Sequence, residues 1–254
     1  MKSHLNLLLL WVSLLAFSSY GQQSIPGGTI LPVRLNGTLS SKNAKLNQAI
    51  AARVMQDVPL PGGRKISEGT KITGHVIEVR SATQGIGPSI SFVFDRVLVS
   101  KKGLPVTTDL RALASPLEVE SAYLPETGMG EGDSWSARTT DQVGGDTVYW
   151  GGGPVVSHVG PVGKPLDGAD SGVLVSVTAN FKGQCRGEVG ENHGLQALWV
   201  FSSDACGVYG LDQLAITHTG RREPFGVIEL TSNGKEAKVG GGSGMLLRVL
   251  GSSK

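Results

Sequence analysis

Pro26-Gly27-Gly28-Thr29-Ile30-Leu31-Pro32-Val33-Arg34-Leu35, Ile66-Ser67-Glu68-Gly69-Thr70-Lys71-Ile72-Thr73-Gly74 and Ile90-Ser91-Phe92-Val93-Phe94-Asp95-Arg96-Val97 are the three pieces of Ile25–Val99 that decide the fold. In the first, Thr29, Leu31, Val33 and Leu35 alternate with Ile30, Pro32 and Arg34, the period of a half-buried strand. Pro32 cannot donate to a ladder, so it predicts an edge or a bulge there. The turn Ser67-Glu68-Gly69 opens the strand Lys71–Arg80. The strand Ser89–Val99 places Ile90, Phe92, Phe94 and Leu98 on one face.

Between these pieces the period is ambiguous. Leu46, Ile50, Val54 and Val58 fit a helical stripe, while Ile50, Ala52, Val54 and Val58 fit alternate strand positions. The alanine-rich local propensity favours a helix. Pro105–Leu110, Gly172–Phe181, Gln196–Ser202, Leu211–Thr219, Gly226–Leu230 and Gly242–Leu250 read as further strands. Asn233-Gly234 between Val227–Leu230 and Glu236–Val239 is a hairpin signal. The closing run Gly-Ser-Gly-Met-Leu-Leu-Arg-Val-Leu over 242–250 echoes the opening strand. It reads as an internal repeat, as two strands pairing to close a barrel, or as chance similarity.

Glycine, at 37 of 254 residues, is well above its usual share of about 7%, and charge is low, which suits a turn-rich β protein. The expected fold is all-β, a mainly antiparallel barrel or sandwich carrying a long glycine-rich insertion. Lys2 followed by the apolar run Leu5–Phe17, with Ser19 and Gly21 ahead of Gln22, reads as a secretory signal peptide over residues 1–21. Residues 22–114 form the first half of the barrel, 115–169 the Gly/Pro-rich, partly flexible insertion, and 170–251 the completing strands. Within the insertion only Thr147–Trp150 and Val155–Val159 read as short strands. Loss of Lys2 leaves 22 basic against 21 acidic residues, a net +1, with no electrostatic case for nucleic acid. No span of the membrane is expected after signal cleavage, and the location is secreted or periplasmic.

Chemistry is thinly marked. His75, His158, His193 and His218 show no ligand spacing, although His75 and His218 both fall in strands and could meet in space. Met245 breaks the nucleophile frame around Gly242-Ser243-Gly244. Gly128-Met129-Gly130-Glu131-Gly132 lacks the lysine and the strand–helix context of a phosphate loop. Glu131, Asp133, Asp141 and Asp146 read as solvated loop charges, with calcium binding as the alternative. No catalytic residue, cofactor or metal is assigned. Tyr123, Trp135, Tyr149 and Trp150 are the candidate binding residues, because aromatics on loops make contact surfaces. The alternative is that the insertion folds back and buries them on the sheet. Trp199 and Phe201 are assigned to the core. Cys185 and Cys206, in an oxidising compartment, are expected to form a disulfide contributing roughly 3 kcal/mol; the alternative is two buried thiols.

Ile66–Gly74 resembles the "I-P-x-G-(S/T)-x-(L/I)-x-G" strand of the β-barrel domain of type IV secretion core-complex proteins. Ser91–Val97 is similar to that family's apolar strand ending in an aromatic, then Asp or Asn, then Arg. Gly28-Thr29-Ile30-Leu31 resembles its "G-T-x-I" opening, and Leu39-Ser40-Ser41 the "x-x-S-(D/E/K)" that follows. The likeness covers about residues 26–110 and implies a barrel in the cell envelope. It also implies a strand, against local propensity, for Gln48–Val58. The family's inner-membrane anchor, proline-rich linker and paired apolar helices have no counterpart here, so ring formation and membrane insertion do not carry over. The expected function is an exported non-catalytic envelope module that binds protein or cell-wall components. A hydrolase acting on glycans or peptidoglycan through insertion carboxylates is the alternative, and a homo-oligomeric scaffold a third reading.

Overall fold

The computed structural model describes residues 24–83, 85–99, 102–123, 139–145, 147–149, 155–157, 160–163, 172–176, 195–202 and 205–251. The first half runs through β1 (Ile30–Leu35), β2 (Leu39–Ser40), β3 (Ala49–Val54), β4 (Val58–Leu60), β5 (Arg64–Ile66), β6 (Lys71–Arg80), β7 (Ser89–Val99), β8 (Lys102–Pro105) and β9 (Thr108–Ala114). After the helix α1 (Pro116–Ser121) come the short strands β10 (Thr139–Asp141), β11 (Thr147–Tyr149), β12 (Val155–Ser157), β13 (Gly160–Gly163), β14 (Gly172–Ser176) and β15 (Leu195–Leu198). The chain ends with β16 (Gly207–Tyr209), β17 (Leu214–His218), β18 (Ile228–Ser232), β19 (Lys238–Val239) and β20 (Gly244–Val249).

Ten of these strands form one sheet in the order β16-β9-β20-β1-β3-β6-β7-β18-β17, with β8 also on β7. Its ladders are antiparallel except β16–β9. The two ends of that order approach each other across β9. The strand β16 lies beside Ala112–Ala114, and the Leu110 N–H donates to the Thr219 carbonyl, just past β17, at 2.8 Å. The fold is therefore all-β, a nearly closed mixed sheet with the shape of a barrel.

The echo between the chain's two ends is a pairing. Strand β1 lies antiparallel to β20 from Ile30↔Arg248 to Arg34↔Gly244. The ambiguous segment is strand β3, between β1 and β6. Here tertiary pairing overrides an alanine-rich helix propensity, because Ile50, Ala52 and Val54 fill one face of the sheet. Pro32 sits inside the sheet rather than at an edge. It accepts from the Met55 N–H at 2.9 Å on the last rung of the β1–β3 ladder, so only a terminal bond is lost.

Alternation sorts the side chains into two clusters. Leu31, Val33, Leu35, Ile50, Ala52, Val54, Ile90, Phe92, Phe94, Ile228, Leu230, Met245, Leu247 and Val249 belong to the interior cluster. Within it the Phe92 and Phe94 rings meet edge to face, 5.8 Å apart. The expected face of β7 changes after Phe94. The register slips between Thr73↔Arg96 and Gly74↔Phe94, leaving Asp95 as the extra residue of a bulge. As a result Val97 is fully buried and Leu98 is not. The bulge brings the Val93 carbonyl so close to Gly74 that any Cβ there would collide with backbone.

Asn233-Gly234 does not turn a hairpin. Both edges of β18 are occupied, by β7 and β17, and the chain leaves for β19, which pairs with β2.

The second cluster lies on the opposite face of β1, β9 and β20. Ile30, Ala112, Ala114 and Leu246 pack there with Val119 of α1 and Ala122, which caps its C-terminus, and with Val143, Leu198, Val200, Phe201 and Ala205. The start of the stretch read as an irregular insertion is thus a packed helix. Ser115 caps it by accepting from the Glu118 N–H at 3.2 Å, and Pro116 occupies the first turn. Phe201 is buried as expected, whereas Trp199 is only partly so.

Candidate functional site

A cleft of about 480 Å³ opens where the outer face of the sheet meets α1. Arg34, Arg53, Val54, Met55, Glu68, Gly69, Glu120 and Tyr123 line it. Arg34 on β1 and Arg53 on β3 are direct cross-strand partners. Like charges placed opposite each other on neighbouring strands are destabilising, so this pair needs a reason. The Arg34 guanidinium lies over the Tyr123 ring, 5.3 Å from its centroid, and Arg53 Nη1 donates to the Gly69 carbonyl at 3.0 Å.

The remaining wall is positioned by local structure. Gly69 N–H donates to the Val54 carbonyl at 2.8 Å, pinning the turn before β6 against the end of β3. Asp57 holds the same turn, accepting from the Glu68 N–H at 2.8 Å and pairing with Lys65 Nζ at 2.6 Å. Burial alone would raise the Asp57 carboxyl, but Lys65 and the Glu68 N–H outweigh it and hold its pKa below the ordinary value. Glu120 comes from α1, and the Tyr123 N–H donates back to the Glu120 carbonyl at 3.0 Å. Burial pushes the Tyr123 hydroxyl above the ordinary tyrosine value; Arg34 opposes that push and Glu68 adds to it. The hydroxyl therefore stays protonated, a donor, at neutral pH.

Two arginines and two glutamates share this cleft, yet no ion pair joins any of them within the described residues.

Of the four candidate aromatics, Tyr123 lines the cleft, half-buried at the end of α1. Tyr149 lies in β11, but its side chain, like Trp135 and Trp150, falls outside the described residues. Cys206 is described and is no free thiol, while Cys185 falls outside. His75 and His218 do not meet. His75 Nδ1 pairs with Asp95 at 3.1 Å on the β6–β7 bulge, and His218 Nδ1 lies 2.6 Å from the Val227 carbonyl. Among the described residues no three potential ligands cluster for a metal, and no helix is long and apolar enough to cross a membrane. Asp141 is described; Glu131, Asp133 and Asp146 are not.

The sequence marked none of Arg34, Arg53, Glu68 and Glu120 as a site residue. The one legible signal was Ser115-Pro116-Leu117-Glu118, a capping-box start for the helix that delivers Glu120 and Tyr123. No known family, curated protein or solved structure matches this chain.

Proposed function

We propose that this chain is an exported, non-catalytic β-barrel module of the cell envelope that binds cell-wall components through the Tyr123 cleft. The observation that carries the reading is a cleft of ligand size in which two arginines and two glutamates surround a half-buried tyrosine and form no ion pair among the described residues. The signal-like leader and a Cys185–Cys206 disulfide belong to the same proposal, as does the barrel likeness to conjugation-pore proteins. Glu68 and Glu120 in one cleft with an aromatic are the residue types a glycan hydrolase uses. Both residues are exposed, however, rather than enclosed around a scissile bond.

Co-sedimentation with purified peptidoglycan sacculi tests the reading. The wild-type chain should pellet with sacculi, and Tyr123→Ala should not. Release of soluble reducing ends during incubation would install the hydrolase instead. Failure to pellet, together with capture of a defined envelope protein, would move the site to protein recognition. Deleting residues 115–169 is a poor test, because Val119, Ala122 and Val143 are part of the buried outer cluster.

A further inference from the structure

We infer that the Tyr123 cleft recognises a short zwitterionic peptide, its carboxylate on the arginine wall and its ammonium beside Glu68 and Glu120. This rests on the binding-module reading above and narrows it to the peptide rather than the sugar part of a cell wall.

Sign comes first. The cations Arg34 and Arg53 both come from the sheet, in register on adjacent strands, where two guanidinium forks can grip one carboxylate. The anions come from elsewhere, Glu68 from the turn before β6 and Glu120 from α1. A polyanion would meet the two glutamates, and a polycation the two arginines. A ligand carrying one charge of each sign offers a counter-charge to both walls, and none of the four groups has an ion-pair partner among the described residues.

Size and shape agree. About 480 Å³ is at the small end of ligand sites, which run from roughly 300 to 1,000 Å³, and suits a few residues of peptide. Met55, a member of the outer cluster, gives an apolar floor for short side chains. A sugar is disfavoured for a specific reason. Stacking a pyranose needs an open ring face; the Arg34 guanidinium lies over the Tyr123 ring, and the residue also packs against the outer cluster. Tyr123 therefore serves as a support for Arg34 and as a hydroxyl donor.

Isothermal titration calorimetry of the full chain distinguishes the cases. The probes are tri-alanine with free termini, its N-acetyl form, its C-terminal amide, the doubly blocked peptide, and chitotriose. Free tri-alanine should bind, and blocking either terminus should weaken binding by about tenfold, as expected when one partner of a charge pair is lost. In Glu68→Gln/Glu120→Gln, both at exposed positions, acetylation should no longer matter while amidation still does. Arg53→Gln should show the reverse. Equal binding of free and doubly blocked peptide, tighter binding of chitotriose, or no heat from tri-alanine at about 1 mM would each overturn the inference. Sacculus sedimentation run beside it separates the two claims. Sacculus binding without a response to peptide charge sinks the zwitterion and leaves the module, while loss of sacculus binding sinks the module.

Discussion

Strand β1 meets two different environments on its two faces. Leu31, Val33 and Leu35 point into the interior, where a buried apolar cluster is joined by the hydroxyl of Thr108, itself bonded to the Phe94 carbonyl. On the other face Ile30 is buried under the outer cluster, yet four residues on, Arg34 stands at the edge of the cleft. The outer layer admits charge in two ways. Asp109 and Arg248 are cross-strand partners, joined by Nη2–Oδ2 at 2.5 Å and Nε–Oδ1 at 3.2 Å, with both side chains almost wholly buried. At the cleft, by contrast, Arg34, Arg53, Glu68 and Glu120 have no ion-pair partner among the described residues. The interior is packed chiefly with apolar volume; the outer layer holds charge either locked or available, and only the available kind can serve a ligand.

The largest break of this contrast is Asp109→Ala. Burial lowers the Arg248 pKa and Asp109 holds it up, so removing the carboxylate takes away the counter-charge that faces a buried cation. A loss of about 3–5 kcal/mol in urea unfolding is expected. Replacing both partners with apolar residues of similar volume should recover most of it. If Asp109→Ala costs no more than an exposed substitution, the locked charge is no part of what holds the outer layer.

Gly74→Ala comes next. A Cβ would strike the Val93 carbonyl across the bulge, and backbone cannot rotate out of the way. About 1–3 kcal/mol should be lost, with the His75–Asp95 contact disturbed on the outer surface. The same change at Gly37, where a Cβ meets nothing within 4 Å, should be close to neutral.

These two sites also show where sequence reading stops. Period-two alternation identified Leu31, Val33, Leu35, Ile90, Phe92 and Phe94 as one face, and the pairing of the chain's ends was visible in the likeness of β1 and β20. It failed beyond Phe94, because nothing in Phe94-Asp95-Arg96-Val97 marks Asp95 as the surplus residue of a bulge. It failed again at Asn233-Gly234, where a sound local turn signal was overruled by strands already seated on both edges of β18. Ala49–Val54 was undecidable from its own period and needed partners on both sides to become β3. For the cleft only Tyr123 was legible. Its companions come from β1, β3, a turn and a helix end, and no spacing rule joins positions 34, 53, 68 and 120.

A smaller effect sharpens the cleft itself. The Tyr123 hydroxyl titrates above the ordinary tyrosine value in the folded chain, chiefly through burial. The stability this supplies is complete below pH about 10 and is lost as pH rises through the folded-state value. The wild-type chain should therefore lose stability in alkali more steeply than Tyr123→Phe, measured as paired melting curves between pH 9 and 11.5. Equal slopes would mean that the hydroxyl is solvated and the cleft open to water at its base.

Asp57 makes the smallest change in stability and the most telling one for the site. Its pKa is depressed, so its contribution is present above the ordinary aspartate value near 4 and fades as pH falls through the folded-state value. Lys65 Nζ is half exposed, which limits the pair to at most about 1 kcal/mol. Asp57→Asn should therefore shift unfolding only slightly. Its Oδ1, however, fixes the Glu68 N–H, and with it the turn that presents Glu68 and the Gly69 carbonyl to Arg53. An amide keeps an acceptor but loses the charge that draws Lys65 in, so the turn should loosen. Amide exchange at Glu68 should speed up and sacculus binding should weaken several-fold, while exchange at Leu35, on the β1–β20 side of the barrel, stays unchanged. Equal protection at Glu68 in both proteins would show that the Gly69–Val54 hydrogen bond alone holds this wall of the cleft.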